Sequence, residues 1–417
     1  MRAMVTAAVS IRELSLDLTP IEVAARCRHL RDLVFFDTSL ETGAAGEISV
    51  IAAEPEYVIA GRSDADWAAL QTALSARKTA PRCDDAIPHG FAAGCVEYDG
   101  SFRFGFYENA LIYRHADQSW IEIGSLASRL SDPGPRMNSP KLTFTPRMDR
   151  ERFCDMVARA LEYIAAGDIY QVNLAHKFTA GWQGDPFAFY EALRHYSPTA
   201  YSAFLDCDGR AILSSSPELF LKMSGRTIRT RPIKGTRPRR ADLHSDEKSA
   251  YDLITSQKEI AELVMITDLE RNDLGQVCDY GSVSVPELLK LERFEQVFHL
   301  VSTVDGHLRS NVDHVSALRA CFPGGSITGT PKRRARQIIA ELEPERRGLY
   351  TGAIGWFGFN GESQFNIAIR TAVADGGHVH FHVGAGIVAD SIPEKEWQET
   401  LDKAAGILLA AERYGDS

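Results

Sequence analysis

The spacing of apolar and polar positions changes character once along the chain. Residues 1 to 140 carry short apolar runs, LVFFDTSL, ISVIAAEP, FAAGCVEYDGSFRFGFYENALIY and SWIEIGSLASRL, which predict strands and turns with few long helical patterns. The Pro-rich, polar stretch 133–148 reads as a connector. From Arg150 to Ala166 the residues Phe153, Val157, Ala160, Leu161 and Ile164 recur at helical spacing, and Gly167 is placed to stop that helix. IYQVNLAHKF then predicts a strand with Tyr170, Val172, Leu174 and Phe178 on one face and Gln171 and Asn173 on the other. AILSSSPELFLKM and TIRTRPIKGT each read as one further strand, and Ser245 to Asp273 as one long helix capped near Ser245. A strand in FEQVFHLVSTVDGHL, a helix in VSALRACF, the loop PGGSITGTP and a helix in KRRARQIIAELE follow. LYTGAIGWFGF, ESQFNIAIRTAVAD and HVHFHVGAGIVAD predict three more strands. The last helix opens at SIPEKEW, where Ser391 and Glu394 have capping-box spacing and Pro393 lies in the first turn. Strands in hairpin-like runs, with helices between the groups, predict an α+β fold of large, packed, mostly antiparallel sheets with outer helices rather than a βαβ repeat. Residues 1–140 are expected to form a β-rich region integrated into the same fold as 141–417.

Composition narrows the class. Hydrophobic residues at 44% and charged residues at 24% are ordinary globular usage, and no apolar run approaches the about 18 residues of a membrane span, so no membrane partner is expected. The opening MRAMVTAAVSIRE has too short an apolar run to read as a signal peptide. The cysteines at 27, 83, 95, 154, 207, 278 and 321 are scattered without a CxxC, which favours neither a disulfide framework nor zinc and points to a reducing cytoplasm. The net charge of -10 argues against a nucleic-acid partner held by general attraction to phosphate. An acidic small molecule stays open, because a cleft can focus a local field opposite to the net charge.

Three local patterns bear on chemistry. RTRPIKGTRPRR, residues 229–240, holds Lys234 behind a Pro-Ile step among arginines; alone it reads as a basic surface loop, and its RPRR end as a solvated turn. Glu259 and Glu262, and again Glu396 and Glu399, lie three apart on one face of a helix. Such pairs are commonly solvated faces. Brought together they would suit Mg²⁺, which takes oxygen ligands and is held by one or two carboxylates plus substrate oxygens. GGSITGTPK has Thr330 and Pro331 where a phosphate loop needs Lys and Ser or Thr, so it reads instead as Thr330 capping a helix with Pro331 at its first position.

Taken in order, YQVNLAHKF, SSSPELFLK, PIKGT, AELVMITDLERNDLG, FHLVST, FPGGSITGTPK, YTGAIGWF, FNIAIRT and GAGIVADSIPEKEWQET resemble the chorismate-utilising enzymes over about Asp149 to Leu409, and GCVEYDG extends the likeness loosely toward the N-terminus. That family includes anthranilate synthase component I, aminodeoxychorismate synthase component I, isochorismate synthase and salicylate synthase. The resemblance implies the anthranilate synthase component I-like fold, with 141–417 as the chorismate-binding catalytic region. It implies Mg²⁺ held by Glu262 and Glu399 with Glu259 and Glu396 behind them. It also implies a substrate site of Tyr350, Arg370, Gly384, Gly386, Lys403, Ser326, Gly235 and Thr236. Glu218 matches the family's general acid, needed because the ring C4 hydroxyl leaves poorly until protonated.

Gln171 stands where isochorismate and salicylate synthases have a water-activating lysine, which implies ammonia as nucleophile. His299 matches a histidine associated with pyruvate elimination in lyase-type members, and equally suits a packed core position. Anthranilate synthases show Ala in the PI-x-GT motif and aminodeoxychorismate synthases Lys, so PIKGT implies the latter, with Lys234 as a nucleophile on ring C2 or as a cation binding the ring carboxylate. An amine is nucleophilic only when neutral, which desolvation or a nearby cation favours. No cysteine has the GxCxG setting of a glutaminase, so ammonia is expected from a separate glutamine amidotransferase subunit. The alternatives are anthranilate synthase component I and a non-catalytic chorismate- or amino-acid-binding regulator.

Overall fold

The computed structural model of the protein describes residues 10–40, 47–80, 87–134, 141–207, 209–294 and 297–414; Cys83 and part of the 133–148 connector lie outside them. Two large sheets dominate. The larger runs, edge to edge, Ile11–Leu14 (β1), Ser119–Ile123 (β8), Ala110–Arg114 (β7), Ile48–Ala52 (β3), Val34–Asp37 (β2), Tyr201–Cys207 (β11), Arg210–Ser216 (β12), Thr371–Asp375 (β21), His378–Ile387 (β22), Gln171–Gly181 (β10) and Gly329–Thr330 (β18), with Thr145–Pro146 (β9) also beside β10. The smaller runs Ile233–Pro238 (β15), Val297–His307 (β17), Thr227–Arg231 (β14), Leu219–Ser224 (β13), Glu362–Ile367 (β20), Ala353–Gly358 (β19), Phe91–Val96 (β5), Phe102–Tyr107 (β6) and Val58–Gly61 (β4), with Ser284–Arg293 (β16) also on β17. Pairings in both sheets are antiparallel, as in β10 with β22 and β5 with β6, and the α+β expectation holds. Both sheets take strands from the first 140 residues and from the rest.

Period-two alternation assigns each strand's faces. Val34, Phe36, Val50 and Ala52 of the larger sheet meet Phe91, Ala93, Ile354 and Trp356 of the smaller in one buried layer. Phe35 and Ile51 point the other way, into a second layer with Val23 of Pro20–Arg26 (α1), Phe189 of Pro186–Tyr196 (α4) and Ile407 of Pro393–Arg413 (α9). Burial on both faces is why these strands read as continuous apolar runs rather than clean alternation. The outer face of the smaller sheet is covered by Asp64–Ala76 (α2), Gln257–Gly275 (α6) and His314–Cys321 (α7), through Leu70, Leu274 and Leu318. Arg150–Ala165 (α3) and Lys332–Leu342 (α8) pack Val157 and Ile338 on β10 and β22. Leu243–Ile254 (α5) lies over β15 and β17 through Leu253 and Leu300.

Several boundaries differ from the sequence reading, each for a local reason. AILSSSPELFLKM breaks at Pro217, which has no N–H for a ladder, so β12 belongs to the larger sheet and β13 to the smaller. Pro232 likewise divides TIRTRPIKGT into β14 and β15, and ESQFNIAIRTAVAD divides at Ala368–Arg370 into β20 and β21 of different sheets. The long helix is two: Asp242, not Ser245, caps α5 by accepting from the Ser245 amide, and Ser256 caps α6. Ser391 caps nothing; the residue before α9 is Ile392, and the Ser391 hydroxyl donates instead to Glu396, 2.7 Å away. Thr330 pairs with Gln171 in β18, leaving Pro331 before α8 without a side-chain cap. The N-terminal region also contains α2, held by a Ser63–Asp66 capping box, which the sequence reading passed over along with β16.

Candidate active site

The places where the chain crosses between sheets assemble the site. One crossing, Pro217–Glu218, leaves β12; the other, Ala368–Arg370, leaves β20, and they are tied side by side. The Ser216 hydroxyl donates to the Ile367 carbonyl at 2.6 Å, the Ile367 amide to the Glu218 carbonyl at 3.1 Å and the Ser215 amide to the Arg370 carbonyl at 3.0 Å. A buried carboxyl and a guanidinium are thus brought to the same junction. Burial pushes the Glu218 carboxyl up, against opposing pulls from Ser326, Lys234, the Ile233 amide and Lys403. Ser326 lies in the turn Gly325–Ile327; its buried hydroxyl faces this carboxyl without completing a hydrogen bond. Burial lowers Arg370, whose largest opposing charge is Glu218. No ion pair to it forms among the described residues, an arrangement suited to an incoming carboxylate.

A bulge in β15 aims Lys234. The register with β17 shifts between Lys234 and Thr236, and Gly235 between them has φ +73°, in the left-handed region. There is no room for a side chain: a Cβ on Gly235 would lie 2.5 Å from Leu253 and 3.2 Å from the Glu259 carboxyl. The Lys234 ammonium comes within 3.8 Å of Glu262, and its side chain is 17% exposed. Thr236 Oγ1 meets His299 Nδ1 at 3.0 Å; burial first, then Arg370, lowers that buried imidazole to about 4, so it is neutral at pH 7.

Strands β10 and β22 form the opposite wall. β22 runs beyond its last pair with β21, Ala372 with Phe381, so Gly384 and Gly386 have a ladder neighbour only in β10, at Ala175 and Asn173. A Cβ on Gly386 would sit 2.5 Å from Gln171 Nε2 and 3.6 Å from Lys234 Nζ, and one on Gly384 would sit 2.7 Å from the Tyr350 hydroxyl. Glycine keeps this wall open to a ligand. Gln171 is fully buried, yet neither its Oε1 nor its Nε2 has a partner, and Asn173 Nδ2 is also unmet. Three orphaned polar atoms on one wall mark surface that a polar ligand would satisfy.

The two Glu-bearing helices close the site. Lys403 reaches Glu399 at 2.7 Å and the Gly384 carbonyl at 2.9 Å. Burial would raise Glu399, but Lys403, Lys258 and Lys234 together outweigh it and the carboxyl is lowered. Glu262 is raised, by burial first and then by the charges of Glu259 and Glu399, against Lys234 and Lys258. Glu259 faces Arg237 at 3.5 Å. Glu396 is 2% exposed; its Oε1 takes Ser391 and, at 3.4 Å, Lys258, while its Oε2 has no partner.

No three His, Cys, Asp or Glu side chains among the described residues are arranged to hold a metal by themselves. Mg²⁺ does not require that, since substrate oxygens and waters complete its shell. The all-oxygen donor set, the carboxylates crowded about Glu262 and the orphaned Glu396 oxygen fit such an ion. All the site residues expected from the sequence meet in this one neighbourhood. Lys258 and Glu270 were not foreseen. The latter, buried with Oε1 accepting from the Gly325 amide at 3.0 Å, holds the turn that carries Ser326. Neither has a sequence signal apart from its place on α6. A cavity of about 200 Å³ adjoins the site, lined in part by Pro217, Ile233, His299, Arg370 and Lys403.

The description "chorismate binding enzyme" matches residues 36–409. The chain belongs to that family. Aminodeoxychorismate synthase component 1 of Bacillus subtilis is 43% identical over 297 residues, 71% of this chain and 62% of the relative, so the chain spans about three fifths of that relative's length. An anthranilate synthase component 1 of Haloarcula marismortui is 39% identical over 384 residues, 90% of this chain and 77% of the relative. Among solved structures, anthranilate synthase component I from Streptococcus pneumoniae superposes with a TM-score of 0.78 at 29% identity, covering 88% of this chain and 93% of its own. The menaquinone-specific isochorismate synthase of Escherichia coli has the same TM-score, 0.78, at 20% identity over 97% of this chain and 95% of its own, a likeness of fold.

Proposed function

We propose that the protein is the synthase component of an aminodeoxychorismate synthase, converting chorismate and ammonia to 4-amino-4-deoxychorismate on the cytoplasmic route to para-aminobenzoate and folate. The observation that carries this reading is Lys234, whose ammonium faces the interior of the site between Glu262 and the Gln171–Gly386 wall. Arg370 and Tyr350 hold the enolpyruvyl carboxylate and Lys403 the acidic neighbourhood of the ring carboxylate. Mg²⁺ would be held by Glu262 and Glu399, with Glu259 and Glu396 behind them, and when bound it neutralises that carboxylate. Neutral Lys234 attacks ring C2 as the double bonds shift; the C4–O bond breaks and Glu218 supplies the proton that turns the leaving hydroxyl into water. The new C2 ammonium loses a proton. Ammonia then forms the C4–N bond, the double bonds shift back, and the C2–N bond breaks as its nitrogen takes up a proton, releasing lysine as the neutral amine while the new C4 ammonium gives up one proton. Gln171 has no basic nitrogen with which to deprotonate water, in keeping with a nucleophile that needs no base. Ammonia comes from a separate glutamine amidotransferase.

A second reading, anthranilate synthase component I, is favoured by the Haloarcula relative's longer match and by His299 in the site. Product identification separates them. Incubated with chorismate, Mg²⁺ and an ammonium salt, the protein should yield 4-amino-4-deoxychorismate by mass spectrometry; anthranilate as the main product would overturn the proposal.

A further inference from the structure

Among the described cations around the four glutamates, Lys258 is the one whose ion pairs join the two helices. It stands at the start of α6, and its ammonium lies 3.4 Å from Glu396 Oε1 on α9 and 3.9 Å from Glu262 Oε1 on its own helix. Among the described residues the other cations each form an ion pair with one of these carboxylates, Lys234 with Glu262, Lys403 with Glu399 and Arg237 with Glu259, although the charges of Lys234 and Lys403 also reach across to the other helix. Glu396 is nearly fully buried, and a lone carboxylate there would be costly without a counter-charge. Lys258 supplies that charge from a side chain that is itself 45% exposed, on a flexible four-carbon stem able to carry its ammonium out to water.

We propose that Lys258 is an exchangeable internal counter-ion, which holds α6 and α9 together through Glu262 and Glu396 and competes with a divalent cation at Glu262. The inference rests on the metal reading above and adds to it a residue that opposes binding. A Mg²⁺ ion bonds its oxygens at about 2.0–2.1 Å, too close to share the carboxylate oxygens that face the ammonium without strong repulsion between the like charges. The ammonium must therefore turn outward as the ion enters. The charge count allows this, because the substrate that accompanies the ion brings two carboxylates of its own. Free protein then discriminates against the metal until the substrate arrives, and metal and substrate bind with positive coupling.

The test uses the full chain and the metal itself. Lys258→Met keeps the length of the stem and removes the charge. Calorimetric titration with Mg²⁺ in the absence of chorismate should show binding roughly tenfold tighter in K258M than in wild type, while Lys258→Arg stays near the wild-type value. Without metal, K258M should melt below wild type, and saturating Mg²⁺ should close the gap. An unchanged or weaker Mg²⁺ affinity in folded K258M would overturn the proposal. Wild-type protein provides a measurement that does not depend on folding of the variant: after reductive ¹³C-methylation of lysines, the Lys258 resonance, assigned by its absence in K258R, should move in step with Mg²⁺ addition. A resonance that stays still while the ion binds would equally sink the idea. If wild type with chorismate gives no Mg²⁺ isotherm at all, the metal reading itself fails, and the inference with it.

Discussion

At the scale of single residues, the proposed reaction places opposite demands on the protons of Lys234 and Glu218. Lys234 must lose one before it can attack, and Lys234→Ala is expected to lose nearly all 4-amino-4-deoxychorismate formation. Removing its side chain opens space at ring C2, so the variant should direct a small yield toward 2-amino-2-deoxyisochorismate or anthranilate. Intact mass of wild type with chorismate and no ammonia should show an adduct absent from the variant; an unchanged product and rate, with no adduct on wild type, would leave Lys234 a binding cation. Glu218 must keep its proton. Its carboxyl is raised by burial, so kcat should fall as pH climbs through that raised value, and Glu218→Gln should lower kcat by about 10²–10⁴-fold and remove this alkaline limb. The same shift has a stability consequence. A carboxyl that binds its proton more tightly folded than unfolded contributes stability that is complete below the unfolded value and lost as pH rises through the folded one. Glu218→Gln should therefore melt above wild type at pH 8, with the gap narrowing toward pH 5; a gap that grows toward acid would contradict the assigned direction.

Elements turn these residues into a site, and here the sequence was legible to different degrees. The helix Arg150–Ala165, the strand β10 and the Glu pairs on α6 and α9 follow from spacing, although β10 is buried on both faces along most of its length and Glu262 and Glu396 are buried too. The crossings at Pro217 and Ala368–Arg370 did not, since Pro217 signals a break in pairing but not a change of sheet, and the apolar Ile367, Ala368 and Ile369 run through the second turn as the chain passes from one buried sheet to the other. Those crossings bring Glu218 to Arg370, so the site's geometry was hidden where its composition was plain. Orphaned atoms such as those of Gln171 have no sequence signal at all; only the placement of neighbours reveals that they lack partners. The bulge at Gly235 lies between these extremes, as PIKGT shows the glycine but not the left-handed φ or the Leu253 and Glu259 contacts that require it. Gly235→Ala is expected to destabilise the fold by about 1–3 kcal/mol and to lower kcat far more than it raises KM, because Lys234 is re-aimed while the Arg370 and Tyr350 contacts remain. Denaturant unfolding and steady-state kinetics measure the two effects separately; a loss confined to KM would mean the bulge does not aim the lysine.

For the whole molecule, the proposed reaction raises the question of where its ammonia originates. Cys27, Cys95, Cys207, Cys278 and Cys321 are buried. Burial pushes the thiols of Cys27 and Cys207 up to about 12 and those of Cys95 and Cys278 up to about 11. A glutaminase nucleophile has to ionise near neutral pH and meet its substrate, so these thiols are unsuited to the task. Cys154 is more accessible, but it sits on α3 and its thiol is also raised, by burial and by Glu394. Among the described residues no cysteine offers the chemistry. The purified chain should then turn over chorismate with ammonium salts and leave glutamine untouched. At a fixed total ammonium concentration, its rate should first rise with pH, as free ammonia grows, and then fall as Glu218 loses its proton, giving a bell-shaped profile. Supplying a glutamine amidotransferase partner should make glutamine a substrate. Glutamate released from glutamine by the chain alone, in step with product, would show that the donor chemistry resides in this chain after all.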